Sequence, residues 1–514
     1  MPRRAQILYP QAAVPYASRD IQEATPPLGP NNYVDFRLHD PENPRNFSVG
    51  RKWYITIVVV LLATNGNYAS SLPSGSLVSL SESFGVSEYV AGLSITVFLL
   101  GFCAGPFIFA PLSEFYGRRV VLFATSPIYM AFTFLCAFPP SFASLLVGRF
   151  LAGTFIAASI SIAPGVLADL WEPDERGNAT AVFSLFSWVG PSVGPIVSGF
   201  CELKKDWRWA FYTALWFWAA AAIPMLTLPE THAPTIQSQK ARCIRAAKIP
   251  GYENVTSYAE ATSPSLLGIY KIALTRPWCL LIDPISTACA IYMAFVFTLY
   301  YMLFSIYPIV FQDMRGWNSG VGQLPLMGSV LGAGLGAVIV SLDTRRRMCR
   351  SKSREELPPE DRLLMAMIGG VGFPITMFWF AWTGQFNSIH WSVPTIAGVF
   401  LSASLLLIFV ALTNYLLDTY QHLASSAVAA NIFARSLGSA TAPLFTSFMF
   451  EALDVGGGGS LIAGVAVLLA PVPFIFYRYG SRIRARSKKW QAAGKAKPHR
   501  GAAQDGKETF VRYV

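Results

Sequence analysis

The chain has 514 residues, of which 53% are hydrophobic and only 13% charged, with a mean hydropathy of +0.42. Soluble domains carry about 25% charged residues, and a soluble core cannot hide this much apolar surface, so the composition specifies a membrane protein. The formal charge of +11 falls mainly in short connections and the tail, where it sets topology and calls for no nucleic-acid partner.

Residues 1–52 are polar and proline-rich (Pro26, Pro27, Pro30, Pro41, Pro44), with no apolar core behind the early arginines. They read as a cytoplasmic tail, and the first apolar run, from Trp53, as an uncleaved signal anchor. A membrane crossing needs about 20 mostly apolar residues. Runs of that kind fall near 53–73, 89–110, 120–138, 143–167, 179–201 and 209–228, which make a first half over 53–230. A polar cytoplasmic tether follows over 231–278, with a short surface helix expected at Lys240–Ala247. The second half, 279–478, has runs near 284–309, 321–342, 363–383, 394–417, 423–450 and 459–477. The apolar stretch from Cys279 to Phe311 is too long for one untilted helix, and residues 479–514 form a basic tail. The expected class is an all-α membrane protein with twelve transmembrane helices in two six-helix, pseudo-symmetric halves.

Charge asymmetry orients the chain. With the N-terminus inside, the inner connections hold Arg118, Arg119, Arg176, Lys240, Arg242, Arg245, Lys248, Lys271, Arg276 and Arg345–Arg347, against Lys204, Lys205, Arg208 and Arg315 outside. Both termini are then cytoplasmic. The seven cysteines are scattered, mostly within apolar runs (Cys103, Cys136, Cys201, Cys279, Cys289), and read as small core residues with neither a disulfide framework nor a metal site. The five histidines (His39, His232, His390, His422, His499) lie far apart, and no nucleophile–base pair or phosphate loop supports an enzyme.

Three segments stand out. Ala110–Arg119 (APLSEFYGRR) is a charged turn between two apolar runs. Gly117 permits a sharp bend there, Arg118 and Arg119 anchor to anionic lipid, and Glu114 can face a helix N-terminus or pair with an arginine. An echo, Leu342–Arg347, follows the eighth run, and each preceding run is glycine-rich (Gly101, Gly105; Gly332, Gly334, Gly336). Arg149 sits about two turns into an apolar run, where an arginine faces a cavity or a partner, or snorkels to the interface. The fifth run carries Gly190, Pro191, Gly194, Pro195 and Gly199, which weaken its hydrogen-bond ladder and allow a very close neighbour.

Together with Asp40–Ser48, Asp206–Trp209, Leu228–Thr231, Asn414–Tyr420, Arg435-Ser436 and Tyr479–Arg484, these segments resemble the major facilitator superfamily, in its fungal branch of twelve-span drug:proton antiporters. The resemblance covers the chain from residue 40 to about 490. It departs from the pattern at Ala110, Glu114 and Pro195, where many members have Gly, Asp and Gly.

The resemblance implies a major facilitator fold and a conformational latch at Glu114, Gly117, Arg118 and Arg119. It implies proton coupling through Arg149, with Asp169 and Asp283 as candidate carboxylates, and an antiporter motif over Gly190, Pro191, Gly194, Pro195 and Gly199. A pocket would lie between the halves, with Asn65, Asn67, Tyr68, Tyr292, Tyr300, Tyr301, Asn414, Tyr415, Asn431 and Arg435 as candidates to line it. Its cargo would be small hydrophobic or amphipathic compounds, foreign drugs or a self-made toxin, exported from a monomer in the plasma membrane. No cofactor is expected beyond the proton gradient. A proton symporter importing a nutrient and a non-transporting membrane receptor are the alternatives.

Overall fold

The computed structural model describes residues 33–36, 40–172, 175–246, 254–261, 266–352, 358–420 and 424–495. The first 32 residues, Lys248, His39, His422, His499 and the tail beyond 495 therefore lie outside the described residues. The chain divides into two compact units, one holding residues 48–231 and 264–514, the other residues 1–47 and 232–263.

The larger unit is helical. Its main helices are α1 (Val49–Ser71), α2 (Glu88–Tyr116), α3 (Arg118–Ala137), α4 (Phe142–Leu170), α5 (Arg176–Lys204) and α6 (Arg208–Met225). They continue as α7 (Pro284–Pro308), α8 (Met327–Lys352), α9 (Leu363–Gln385), α10 (Ser392–Thr419), α11 (Ala424–Leu469) and α12 (Pro471–Lys495). Ten helical stretches are long and apolar enough to cross a membrane, and the last of them, Ser426–Ala485, has 60 residues. At 1.5 Å per residue that is about three times the thickness of a hydrocarbon core, so it holds two crossings. Asp454, with φ 55° and ψ 177°, breaks α11 between them. The 18-residue α6, opening on Arg208-Trp209, is not among these ten; with it as a further crossing the arrangement is consistent with twelve. Large apolar side chains such as Ile223, Leu468 and Ile375 are more than 60% exposed, a surface that a bilayer covers.

Several boundaries differ from the sequence reading. The segment 110–119 is not an extended turn. Helix α2 runs through to Tyr116, and the reversal is made by Gly117 alone, with φ 99°. Only glycine adopts that backbone without strain. The echo after α8 has no such residue, and α8 continues in helix to Lys352. The long apolar stretch from Cys279 is divided by Asp283, whose carboxylate caps α7 by accepting from Ile285 N at 3.1 Å. The residues before it form a separate helix, Leu266–Leu281, where Cys279 is exposed. The start of the basic tail belongs to α12.

The smaller unit replaces the expected tether. Its helix runs Ala233–Ala246, starting well before Lys240 because Pro234 sits in the first turn, where a missing N–H costs nothing. Val34, Ala241, Ile244 and Val255 form its core, and Tyr33 pairs with Thr256 in a single parallel bridge. Lys240 reaches Asp40 at 2.8 Å and Glu42 at 2.9 Å. Glu260 accepts from Arg242 Nε and Arg245 Nη1, both at 2.9 Å. Burial works against the Glu260 charge, but these guanidinium hydrogen bonds hold its carboxyl below the ordinary value.

Candidate functional site

A repeated scheme binds each set of six helices. In the first, α2 and α4 touch backbone to backbone. A Cβ on Gly101 would stand 2.7 Å from Thr154 N, and one on Gly105 would stand 2.6 Å from Thr154 O. In the second, α8 and α10 do the same, with a Cβ on Gly328 placed 2.9 Å from Thr395 O and one on Gly332 placed 2.9 Å from Ser402 Cβ. Of the glycines singled out in the sequence, Gly101, Gly105, Gly332 and Gly336 are contact points, while Gly334 meets nothing within 4 Å.

The charges repeat as well. Arg118, the first residue of α3, donates Nε to Asp169 Oδ2 near the end of α4 at 3.4 Å and Nη1 to Ser113 Oγ at 2.6 Å. Arg362, just before α9, donates Nε to Asp418 near the end of α10 at 2.7 Å. Glu230, after α6, accepts from the backbone N–H of Arg118 at 3.0 Å and of Arg119 at 3.1 Å, capping α3. In the second set Arg484 of α12 pairs with Glu360 at 2.7 Å. Glu114 is solvent-exposed and lies in the field of Arg118, but the acidic groups that the arginines hydrogen-bond are Asp169 and Glu230. The sequence reading quoted Glu230 within Leu228–Thr231 but gave it no role. Asp283, in addition to capping α7, accepts from the Tyr420 hydroxyl at 2.6 Å.

Arg149 does not snorkel. It is 2% exposed, and all three of its nitrogens are engaged. Nη1 donates to Ala69 O at 2.8 Å, Nη2 to Ser70 O at 3.0 Å and Nε to Ser94 O at 3.0 Å, with the guanidinium 4.0 Å from the Phe98 ring centroid. The reason lies in the sequence: four residues beyond Ala69 stands Pro73, which has no N–H for the Ala69 carbonyl. Arg149 supplies the missing donor and clamps α1, α2 and α4 together.

The Gly-Pro run of α5 lies against α1. A Cβ on Gly190 would stand 3.0 Å from Thr64 O, and one on Gly194 would stand 2.8 Å from Tyr68 O. Toward the end of α5, a Cβ on Gly199 would stand 2.5 Å from Ser319 O, between α7 and α8. At the start of α5, Gly177 stands in the same relation to Thr344 of α8, a Cβ there lying 2.5 Å from its Cγ2. Both ends of α5 thus close against the second set of helices.

Between the two sets lies a small cavity, partly open at its mouth. Of the ten candidates, Asn67, Tyr301 and Arg435 line it, with Phe102, Phe297 and Ser436 among their neighbours. Tyr301 shares a hydrogen bond with Ser70 Oγ at 2.7 Å, tying α7 to α1. Tyr300 seals the seam beside it, sharing a hydrogen bond with Ser192 Oγ at 2.7 Å, donating to Trp188 O and lying 4.2 Å from the Trp188 ring centroid. The remaining candidates lie elsewhere. Asn65 accepts from the Tyr129 hydroxyl at 2.8 Å and donates to Ala214 O at 3.1 Å, and Tyr68 shares a hydrogen bond with Thr213 at 2.7 Å. Tyr292 points at Gly370 of α9, where a Cβ would stand 3.2 Å from its hydroxyl, and Tyr415 stacks on Phe476 of α12 at 6.0 Å. Asn414 is half-buried on α10 and Asn431 buried on α11, neither in the cavity wall. Among the described residues no cluster of His, Cys, Asp or Glu could hold a metal ion.

The profile of the Major Facilitator Superfamily matches residues 56–443, three quarters of the chain with this helix arrangement. The chain belongs to the Major Facilitator Superfamily. It is a multi-pass membrane protein of a transporter family, not of an enzyme family. Among curated proteins it is similar to Efflux pump FUB11 of Gibberella moniliformis, 39% identical over 461 residues, covering 88% of this chain and 77% of that one. It is also similar to Multidrug transporter TPO1_2 of Candida glabrata, 36% identical over 454 residues, with 88% and 78% covered. The fungal efflux and multidrug branch of the superfamily is therefore where the chain sits. Among solved structures, the proton:xylose symporter XylE superposes with a TM-score of 0.60 over 84% of this chain and 96% of that one, at 16% identity, which is a likeness of fold.

Proposed function

We propose that this protein is a proton-coupled efflux transporter that carries small hydrophobic or amphipathic compounds outward by alternating access. The observation that carries the reading is the cavity between two internally clamped helix sets, in a chain whose relatives are named efflux pumps and multidrug transporters. Alternating exposure requires each set to move as a body while the seam between them opens at one end at a time. Within a set, ion pairs and glycine–carbonyl contacts resist distortion. Across the seam, tyrosine–serine hydrogen bonds and aromatic contacts do the holding, and these part and re-form at small cost.

In this reading the Arg118 end of the bundle is cytoplasmic, both termini are inside, and the protein works as a monomer in the plasma membrane. The proton gradient is the energy source. Asp169 and Asp283 are the proposed proton carriers, because each is a carboxylate at a helix end that meets an exchangeable group, Arg118 or Tyr420.

The test is directional. Cells lacking the gene, complemented with it and loaded with a fluorescent amphipathic dye, should lose dye faster than uncomplemented cells, and an uncoupler should abolish the difference. Accumulation of dye on expression would indicate import and defeat the proposal.

A further inference from the structure

Two arginines lie inside the helical bundle, and they differ in one respect. Arg149 has every nitrogen bound to a backbone carbonyl. Arg435 stands over Phe297 at 4.6 Å and over Phe409 at 5.3 Å, and among the described residues its guanidinium makes neither an ion pair nor a hydrogen bond. Its accessible area opens into the cavity, whose wall it forms with Asn67, Phe102 and Tyr301. Four carboxylates of the helical unit are engaged away from it: Asp169 with Arg118, Asp418 with Arg362, Glu360 with Arg484, Asp283 with Tyr420.

We infer that Arg435 is the anion-recognition point of the cavity, and that the preferred cargo is an amphipathic monoanion, an apolar or aromatic body bearing one carboxylate. The inference rests on the transport reading above and narrows its substrate class. Aromatic rings stacked on the guanidinium stabilise its charge from the faces and hold its plane still. They satisfy none of its five N–H donors, which lie in that plane and match a carboxylate in bidentate fashion. A cation enclosed without a counter-charge is costly, and the cavity wall holds no acid to supply one. A bound carboxylate supplies it. Phe102, Phe297 and Tyr301 then receive the apolar body, and Asn67 offers a polar contact from the opposite side.

The experiment uses full-length protein in nanodiscs and two probes of one shape, 2-naphthoate and its neutral carboxamide, 2-naphthamide. Calorimetric titration is expected to give at least tenfold tighter binding of the acid. Arg435→Gln should bring the two within about twofold by weakening the acid alone, while Arg435→Lys should keep part of the preference. Gel filtration and thermal melting check folding of the variants. If Arg435→Gln does not fold, the wild-type comparison and the Lys variant decide. Equal binding of acid and amide by the wild type, binding of neither at millimolar concentration, or equal weakening of both by Arg435→Gln overturns the proposal. Dye efflux by the same wild-type protein is scored separately, so an exporter without acid preference defeats only this inference, and acid preference without efflux defeats only the direction of transport.

Discussion

The Arg149 clamp gives a sharp expectation. Replacing Arg149 with Ala removes three hydrogen bonds from a charged donor to Ala69, Ser70 and Ser94 carbonyls. Such bonds contribute about 1.5–3 kcal/mol each, and a buried acceptor left unpaired costs about 1–3 kcal/mol. The Ala69 carbonyl bears the largest share, since Pro73 offers it no alternative. Removing a buried charge recovers part of its desolvation cost. The net loss should be about 3 kcal/mol, enough to lower the melting temperature of the detergent-solubilised protein by several degrees. Arg149→Lys keeps the charge but not the fork, and should lose about half as much. Transport should fall in step with stability, and rescue should follow from conditions that stabilise the fold. An Arg149→Ala protein that melts like the wild type but does not transport would refute the clamp and place the arginine in the coupling step.

Other expectations follow from single contacts. Gly194→Ala drives a methyl into Ser71 and the Tyr68 carbonyl, so it should cost about 1–3 kcal/mol of stability. Gly92→Ala, with 3.8 Å to the nearest neighbour, should be neutral in the same melting assay. Glu230→Ala uncaps α3 and should cost about 1 kcal/mol, whereas Glu114→Ala should leave the melting point unchanged. A greater loss from Glu114→Ala than from Glu230→Ala would show that Glu114, and not Glu230, holds this corner of the fold. In the smaller unit the depressed Glu260 carboxyl makes a contribution that is complete above its unfolded value. That contribution is lost as pH falls through the folded one. Limited proteolysis of the central loop should therefore accelerate below about pH 4, and Glu260→Gln should be cleaved readily at every pH.

The crossings were legible because twenty-residue apolar runs have few other uses. Their ends were less so. The turn at 110–119 reads as ten residues by charge but is one residue by backbone, since Pro111 and Glu114 are tolerated in the last turns of α2. Cavity residues were legible only in part because α1, α7, α10 and α11 are apolar on all sides, leaving no stripe to mark which face meets the cavity. Tyr300 and Tyr301 are adjacent, yet one seals the seam and the other lines the cavity. The acceptors of Arg149 are main-chain oxygens, which leave no signature in side-chain sequence. The one available clue was Pro73, four positions past Ala69. The small unit was missed because Val34, Ala241, Ile244 and Val255 are single apolar residues spread across two polar stretches.

The seam tyrosines bear on speed. A pump must undo its central contacts in every turnover, and its fastest rate is bounded by the strongest of them. Tyr300 and Tyr301 close the middle of the protein through neutral hydroxyls, each worth about 1 kcal/mol net. A charged pair there would add several kcal/mol to each opening, at tenfold in rate per 1.4 kcal/mol. Hydroxyls at the seam, with the ion pairs kept inside each set, give a gate that closes and still releases within the time of one cycle.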